Sequence, residues 1–218
     1  MRSRTYAQYC GLARALDIVG ERWALLVVRE LLDGPKRYTD LLSGIPGIAT
    51  DMLAARLKSL EESEIVARRV LPPPAASTVY ELTPAGRTLE PAVQELARWG
   101  IRQLGRKRGE AFRIHWLSLP LRMMFRPEVA DGPPLVVQFE TGGEAMHARI
   151  ADGALETYNG AASAPDVVIA GDVATFTQAA TNSEAAAEAR AKGKLRITGK
   201  KEDIIRAMDA FGLPGKKR

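Results

Sequence analysis

The feature that most constrains this chain is a turn of glycine and proline between two short amphipathic segments. Tyr38 to Leu42 and Thr50 to Glu62 have helical spacing, and Gly44-Ile45-Pro46-Gly47 separates them. Glycine and proline together break a helix and force a tight turn. These residues predict two helices that cross, of which the second buries one face and leaves the other in solvent. The buried face is an apolar stripe formed by Leu53, Leu57 and Leu60.

Two more helices are expected before this turn. Apolar residues recur at helical spacing from Tyr9 to Val19, and Gly20 ends that segment. Trp23 to Leu32 is nearly apolar on two faces, which predicts a buried helix, and Gly34-Pro35 ends it. The first half of the chain therefore begins as a small group of packed helices.

A β-hairpin and a final helix are expected after the turn. Ile65 to Leu71 and Val79 to Leu82 have strand character, and Pro72-Pro73-Pro74 between them permits neither helix nor central strand. A hairpin in this position is the shape called a wing. Thr83-Pro84 is typical of a helix start, with an N-capping threonine and proline at the first helical position. The helix that follows is predicted to run to about Leu104.

Basic residues are concentrated in the first half of the chain. The net charge is +5, and residues 1–108 hold 17 Lys and Arg against 12 Asp and Glu, whereas residues 109–218 hold 14 of each. The whole excess therefore belongs to the half with the helix-turn-helix pattern, which indicates a polyanionic partner for that half. Solvated surface charge gives many proteins a similar net charge, so this observation supports the motif without replacing it.

The second helix of the motif has the width of a DNA major groove, and its outer face is free to enter one. Its first residues would meet base edges, while basic residues around it and in the wing would meet phosphates. Each charge alone is equally well explained as a solvated side chain. The turn, the leucine stripe, the wing and the basic charge together, however, all indicate a DNA-binding helix-turn-helix. We expect base contacts from Thr50, Asp51 and Ala54, and phosphate contacts from Lys36, Arg37, Arg56, Lys58, Arg68 and Arg69.

Four separated motifs occur in order within residues 8–105. They are Ala15-Leu16-Asp17-Ile18-Val19-Gly20-Glu21-Arg22-Trp23-Ala24-Leu25-Leu26, Pro46-Gly47-Ile48-Ala49, Met52-Leu53 with Arg56-Leu57, and Tyr80-Glu81-Leu82-Thr83-Pro84-Ala85-Gly86. Together they resemble the HxlR family of bacterial winged-helix regulators, which are relatives of the MarR group. The resemblance implies a symmetric dimer built by the first and last helices of this half, a palindromic DNA site, and a recognition helix at Thr50 to Lys58. The outer face of that helix carries Asp51 and several alanines, which implies modest base readout.

Cys10 is the single cysteine of the chain and lies just before the first predicted helix. Some members of the HxlR family have a cysteine sensor of oxidants or electrophiles at the matching position, so the resemblance implies a redox sensor here. A helix N-terminus stabilises a thiolate, and Arg14 would add to that effect. The alternative is a half-buried cysteine that packs near the dimer interface. A single cysteine cannot form an internal disulfide, which fits a reducing cytoplasm.

The second half has a different sequence pattern, in which short strands alternate with turns and helices. This pattern predicts an α+β domain. The linker is expected at Arg102 to Gly109, which gives domains at residues 1–105 and 112–214. Five strands are expected between Gly-Gly, Asp-Gly and Asn-Gly turns, at Leu135 to Phe139, Ala145 to Ile150, Ala154 to Tyr158, Val167 to Ala170 and Lys194 to Ile197. Helices are expected at Trp116 to Phe125, Thr175 to Thr181, Glu184 to Ala191 and Glu202 to Phe211.

Two motifs of this half, separated by a helix that contains Phe176, precede the final helix. They are Asp166-Val167-Val168-Ile169-Ala170-Gly171-Asp172 and Gly193-Lys194-Leu195-Arg196-Ile197-Thr198-Gly199. Over about residues 113–212 they resemble the sterol-carrier-protein fold, which implies an apolar cavity for a small lipophilic ligand. Plain core packing explains the same apolar residues, and the domain is then a structural or dimerisation module. The expected cavity lining is Trp116, Met123, Met124, Phe139, Phe176 and Ile197.

The residue pattern argues against catalysis, metals and cofactors. One cysteine and two histidines, His115 and His147, do not make a zinc motif. Gly193 to Lys200 differs from a phosphate-binding loop in spacing, and Lys201 stands where Ser or Thr is needed. No apolar run reaches the roughly 20 residues of a membrane helix, and the N-terminus lacks a signal core. We therefore expect a cytoplasmic protein that is not an enzyme and has no membrane partner.

The fold class is expected to be α+β, with an N-terminal winged helix-turn-helix followed by a C-terminal sterol-carrier-like domain. The expected function is that of a dimeric, sequence-specific regulator of transcription that binds double-stranded DNA at a palindromic operator. Repression is the commoner outcome for a dimer that blocks a site, and a lipophilic ligand would act through the second half. The alternative is a carrier of lipophilic ligands whose winged helix serves dimerisation. Salt-dependent binding to duplex DNA separates these two functions.

Overall fold

The helices of the first half end close to the glycine and proline residues that predict a break in the sequence. The computed structural model describes residues 5–74, 76–105, 109–130, 132–176 and 183–212. Contacts divide the chain into two units, Met1–Glu95 and Leu96–Arg218. The first unit contains helices α1 (Gly11–Val19), α2 (Ala24–Leu32), α3 (Tyr38–Gly44) and α4 (Thr50–Glu62). Helix α4 has the predicted bounds, whereas α1 begins two residues later than Tyr9 because Cys10 has an extended backbone.

Burial determines which face of each helix is available to solvent. Val27, Val28 and Leu31 of α2 have no exposed side-chain surface, as the apolar composition of that helix predicts. The leucine stripe of α4 is likewise buried, at Leu53, Leu57 and Leu60. Because burying one such side chain contributes roughly 1.5–3 kcal/mol, the stripe holds α4 in a single rotation about its axis.

The wing is an antiparallel pair of strands, β1 (Val66–Val70) and β2 (Thr78–Leu82). Val66 lies opposite Leu82 and Val70 opposite Thr78, which confirms the predicted hairpin. Lys36 and Tyr80 exchange two backbone hydrogen bonds, of 2.9 and 2.8 Å, between their N–H and carbonyl groups. The middle of strand β2 is therefore fastened to the segment that precedes α3.

The prediction of one long helix after Thr83 is wrong, because the structure has two. Helix α5 (Pro84–Arg87) is followed by α6 (Glu90–Ile101). Thr83 is the N-cap of α5, and its hydroxyl accepts a 3.0 Å hydrogen bond from the N–H of Gly86. The break lies just before Pro91, which has no N–H to donate to the preceding turn of a continuous helix.

The second unit is built on a five-stranded mixed sheet, and all five predicted strands are present. They are β3 (Leu135–Thr141), β4 (Glu144–Ala151), β5 (Ala154–Asn159), β6 (Val167–Gly171) and β7 (Leu195–Gly199). The strand order is β5-β4-β3-β6-β7. Strands β3 and β6 are parallel, and the other neighbours are antiparallel.

Helices of the second unit pack against one face of this sheet. The segment predicted as the helix Trp116 to Phe125 begins as a 3-10 turn at Ile114–Leu117 and continues as α7 (Ser118–Met124), and a second 3-10 turn spans Pro127–Val129. Helices α8 (Ser183–Ala191) and α9 (Lys201–Ala210) confirm two further predictions. Residues 173–176 are helical, and the rest of the helix expected at Thr175 to Thr181 lies outside the described residues. No helix in the described ranges is long and apolar enough to cross a membrane.

The core of the second unit lies between these helices and the sheet. Val137 and Phe139 of β3 are buried with Ile169 of β6, Leu121 of α7 and Phe211, the residue after α9. Because side chains alternate along a strand, Gln138 and Glu140 belong to the opposite face of the sheet. That face carries polar and charged residues and is described below.

Candidate nucleic-acid interface

Helix α4 presents an open face of small and polar side chains. Thr50, Asp51, Ala54 and Lys58 are all exposed, and all four were predicted to face outward. Met52, which sequence reasoning did not single out, is also 39% exposed near the start of the helix. A methyl-bearing side chain there is suited to contact a thymine methyl group in a major groove.

The N-terminus of α4 is open as well. Its N-cap position is held by Ala49, whose side chain cannot accept a hydrogen bond from the first turn. Backbone N–H groups of a first helical turn have no partner within the helix, so they favour an anion such as phosphate. Tyr38 of α3 donates its hydroxyl proton to the carbonyl of Thr50 at 2.6 Å, which ties the two helices of the motif together.

Helix α4 is also held by the turn that precedes it and by the residues just before α2. Gly47 has a φ of +86°, a conformation that residues with a side chain rarely adopt, so glycine is required there. The indole of Trp23 reaches the space beside Gly47. Arg56 of α4 pairs with Glu21 at 3.7 Å between Nη2 and Oε2. These contacts position α4 relative to the start of α2.

Three of the six predicted phosphate contacts are exposed cations that form no short ion pair among the described residues. Arg37 is the N-cap residue of α3, and its N–H donates to Asp40 at 3.0 Å while its side chain is exposed. Lys58 has a side chain that is 78% exposed and lies 3.9 Å from Glu62, a distance typical of a weak surface pair. Arg68 of the wing is exposed. Arg37 begins α3, Lys58 belongs to α4 and Arg68 lies in the wing, and all three side chains are exposed to a polyanion.

The other three predicted phosphate contacts form ion pairs within the unit, although the Arg69 side chain is also 47% exposed. The side chains of Lys36 and Arg56 are only 17% and 12% exposed, and each forms an ion pair, Lys36 with Glu30 and Arg56 with Glu21. Arg69 donates two 2.9 Å hydrogen bonds to the carboxylate of Glu81 across the wing. These bonds hold the pKa of Glu81 below its ordinary value. The three cations therefore serve first to position the motif and the wing.

Glu30 is a functional neighbour that sequence reasoning missed. It is 1% exposed within helix α2, which is apolar apart from Arg29 and Glu30, and its carboxylate pairs with Arg29 at 2.7 Å and with Lys36 at 2.8 Å. A Cβ atom at Gly44, the last residue of α3, would lie 2.5 Å from that carboxylate. The charged residue inside an apolar helix was the signal available in the sequence, because a buried carboxylate needs a partner.

Cys10 lies where the sequence places it, at the N-cap of α1, and it is exposed. Its side chain makes no capping hydrogen bond, yet the backbone N–H groups of Ala13 and Leu12 face the sulfur. They hold the pKa of the Cys10 thiol below its ordinary value, with Ala13 contributing most. A larger thiolate fraction makes a cysteine more reactive towards oxidants and electrophiles.

The second unit has an apolar cavity between its helices and sheet, lined in part by the predicted residues. Met124, Phe139, Phe176 and Ile197 line it, whereas the predicted Trp116 and Met123 do not. Its volume is about 50 Å³. Ligand pockets usually occupy roughly 300–1,000 Å³, so a cavity of this volume is too small for a sterol or a fatty acid.

Residues 18–108 match the family model of the HxlR-like helix-turn-helix. The HTH-type transcriptional regulator YodB of Bacillus subtilis is 44% identical over 85 residues, which are 39% of this chain and 76% of the relative. The uncharacterized HTH-type transcriptional regulator YvaP of the same organism is 35% identical over 86 residues, 39% of this chain and 80% of the relative. Among solved structures, the reduced form of YodB from B. subtilis is 37% identical, covers 46% of this chain and 100% of its own, and has a TM-score of 0.40.

Proposed function

The chain belongs to the HxlR-like helix-turn-helix family, and on this premise we propose that it is a sequence-specific regulator of transcription that binds DNA as a homodimer at a palindromic site. Helix α4 is the recognition helix of this proposal. Thr50, Asp51 and Ala54 read base edges, while Arg37, Lys58 and Arg68 contact phosphates. Repression follows where such a dimer covers a promoter.

The open face of α4 is the observation that carries this proposal. Its leucine stripe is buried, and Thr50, Asp51 and Ala54 on the exposed side are short enough to let the start of the helix approach a groove floor. Short side chains at the start of the helix suit close docking, and the exposed cations Arg37, Lys58 and Arg68 supply the attraction to phosphate. Asp51 opposes that attraction, so the proposed base readout by this face is modest.

A charge placed in the middle of this face tests the proposal. Ala54→Glu should weaken binding to every duplex by about ten-fold or more, because a carboxylate in the groove meets phosphates and base acceptors. Ala187→Glu, an exposed alanine on helix α8 of the second unit, is the matched control and should change nothing. Fluorescence anisotropy on a labelled duplex measures both. Equal binding by the two variants contradicts the proposed interface.

Exposed apolar side chains on α1 and α6 support the homodimer. Leu12 and Leu16 of α1 are 69% and 40% exposed, and Leu96 and Trp99 of α6 are 52% and 64% exposed. Large apolar side chains that stay in solvent are typical of positions that a partner covers, and we propose that a partner protomer covers each of these two helices. Leu12→Glu and Trp99→Glu should therefore yield monomers by light scattering, whereas Ile205→Glu on α9 should not. Dimers that survive both changes contradict this surface.

We further propose that Cys10 modifies DNA binding when it is oxidised or alkylated. The thiol is exposed, its pKa is lowered, and it lies at the end of α1 that begins the proposed dimer surface. A bulky or charged group on the sulfur would then lie beside Leu12. Fluorescence anisotropy before and after treatment with an alkylating agent measures how this group changes DNA affinity. The affinity of the Cys10→Ser control should not change on treatment.

We also propose that the second unit is sterol-carrier-like in architecture. A five-stranded sheet with helices on one face and an apolar cavity between them supports this likeness. The cavity volume of about 50 Å³ does not favour the alternative function of a lipophilic-ligand carrier. We therefore assign the second unit a regulatory or structural part in a protein that is not an enzyme.

A further inference from the structure

The second unit contains an open polar cleft on the sheet face that its helices leave uncovered. The cleft has a volume of about 560 Å³, which lies within the roughly 300–1,000 Å³ of small-molecule sites. It lies at the end of the two parallel strands: Thr141 and Gly171, the last residues of β3 and β6, both line it. The cleft is separate from the apolar cavity, since the two share no lining residue.

Topology explains why a crevice forms at this place. Strands β3 and β6 run parallel as neighbours, but the chain leaves them in opposite directions. After β3 it turns through Gly142-Gly143 into β4 on one side, and after β6 it continues towards β7 on the other side. Connections that diverge from adjacent parallel strands leave a gap outside their carboxyl ends, and such gaps are preferred binding sites.

One wall of the cleft is built by a buried amide. Gln138 is 6% exposed; its carbonyl accepts the N–H of Ala162 at 2.7 Å, and its amide group donates to Glu140 at 2.6 Å. The first bond fastens the loop after β5 onto the sheet face, and Ala161 of that loop lines the cleft. The second bond orients the carboxylate of Glu140, which also lines the cleft.

Opposite charges lie on either side of the cleft floor. Glu140 of β3, Ala170 of β6 and Arg196 of β7 are successive partners in one cross-strand row. Neighbouring strands lie about 4.8 Å apart, so the backbones of Glu140 and Arg196 are about 10 Å apart with only a methyl group between them. Lys194 adds a second cation beside Arg196.

Neither charge of this row is neutralised by an ion pair of the protein. Within the part of the chain that the structure describes, Arg196 forms no ion pair, and Glu140 accepts a hydrogen bond only from the neutral Gln138 amide. The other acid of the cleft, Glu144, is already engaged by the Arg113 guanidinium at 3.1 Å and by the N–H of Ile114 at 3.0 Å. A ligand therefore meets one available carboxylate and, opposite it, an unpaired guanidinium.

We propose that this cleft binds a small zwitterion of the amino-acid class. The carboxylate of the ligand pairs with Arg196 and Lys194, and its ammonium group pairs with Glu140. A simple anion pairs with Arg196 and Lys194 but leaves Glu140 unsatisfied, and a simple cation does the reverse, so a molecule with both charges is the one that satisfies the row. The small side chain of Ala170 leaves room for the carbon atoms between the two charged groups.

Isothermal titration of the full chain tests this site directly. The probes are glycine, γ-aminobutyrate and 6-aminohexanoate, with butyrate and butylammonium as analogues that carry one charge each. At least one zwitterion should bind at one site per chain with a Kd of millimolar or tighter, and the single-charge analogues should bind about ten-fold more weakly or not at all. Arg196→Gln and Glu140→Gln should each weaken binding of the zwitterion by about ten-fold.

Arg149→Gln is the matched control for these variants. Arg149 is an exposed cation on the same sheet face, where it pairs with Glu156 at 3.4 Å outside the cleft, so its loss should leave binding unchanged. Circular dichroism verifies that all three variants fold. The proposal is overturned if no zwitterion binds at about 10 mM, if butyrate binds as tightly as γ-aminobutyrate, or if the cleft variants bind like the control.

Discussion

The ammonium of Lys36 lies 2.8 Å from the carboxylate of Glu30, whose side chain has no exposed surface. The same lysine bonds through its backbone to Tyr80 of the wing. Lys36→Met removes one of the two ion pairs of a buried carboxylate and should lower the free energy of unfolding by about 3 kcal/mol, because removing one partner of a buried ion pair is costly. Urea unfolding measures this loss.

The matched control for that prediction is Lys58→Met. Lys58 is exposed and its pair with Glu62 is long, so its loss should change stability by about 0.5 kcal/mol or less. Removing both charges in Glu30→Met with Lys36→Met should recover much of the loss, since an apolar pair of similar volume often replaces a buried ion pair without cost. Equal stability of the Lys36 and Lys58 variants contradicts the structural role given to Glu30.

Lys58 and Arg56 should differ in how they affect DNA binding, although both are basic residues of α4. Lys58→Ala should flatten the dependence of log affinity on log salt by about 0.9, the value for one lost phosphate contact. Arg56→Ala should leave that slope unchanged and lower the melting temperature, because the side chain is mostly buried and pairs with Glu21. A slope change of the same size at both positions would mean that Arg56 leaves its ion pair to contact phosphate.

Alkylation of Cys10 should become fast at a lower pH in the folded chain than in the unfolded chain. The N–H groups of Ala13 and Leu12 stabilise the thiolate only while α1 is formed, so the folded pKa lies below the unfolded one. The iodoacetamide rate rises as the thiolate forms, and the single cysteine makes the reaction specific for this site. A rate profile that is identical with and without urea would show that the helix does not lower the pKa of this thiol.

Phe176 should behave as a core residue. It is 6% exposed and its ring lies 6.3 Å from that of Phe139 in an edge-on arrangement. Phe176→Ala should cost roughly 3–5 kcal/mol without any ligand, and the enlarged cavity should then bind benzene, visible as a rise in melting temperature. Ile205→Ala on the exposed side of α9 should cost about 0.5 kcal/mol or less. If Phe176→Ala is equally mild, the ring does not fill the core.

The bounds of α4 and the five strands of the second unit follow from local signals that the sequence carries. A leucine stripe, a Pro-Gly turn and alternating apolar residues between Gly-containing turns each act over a few residues, so short windows of sequence contain them. The break before Pro91 was equally local and was missed because the apolar spacing from Leu89 to Trp99 outweighed the proline. Of the candidate interface, the outward position of Thr50, Ala54 and Lys58 could be predicted from the same spacing.

Local sequence signals could not predict which basic residues form ion pairs within the protein and which remain available to DNA. Lys36, Arg56 and Arg69 look like free cations in the sequence, yet their partners come from other elements of the first unit. Such pairs depend on how helices and strands cross, which short windows do not contain. The size of the apolar cavity is likewise a result of complete side-chain packing, because a few methyl groups decide between a filled and an empty interior.

Selection of bound duplexes from a randomised pool tests the central claim most directly. The full chain should enrich one palindromic motif whose half-sites are centred about 10 base pairs apart, or a multiple of that spacing, as two recognition helices of a dimer require. Affinity for the enriched motif should fall steeply with salt and should be lost in Ala54→Glu but not in Ala187→Glu. A pool that shows no enriched motif, or binding that both variants retain, would contradict the account of α4 as a DNA recognition helix.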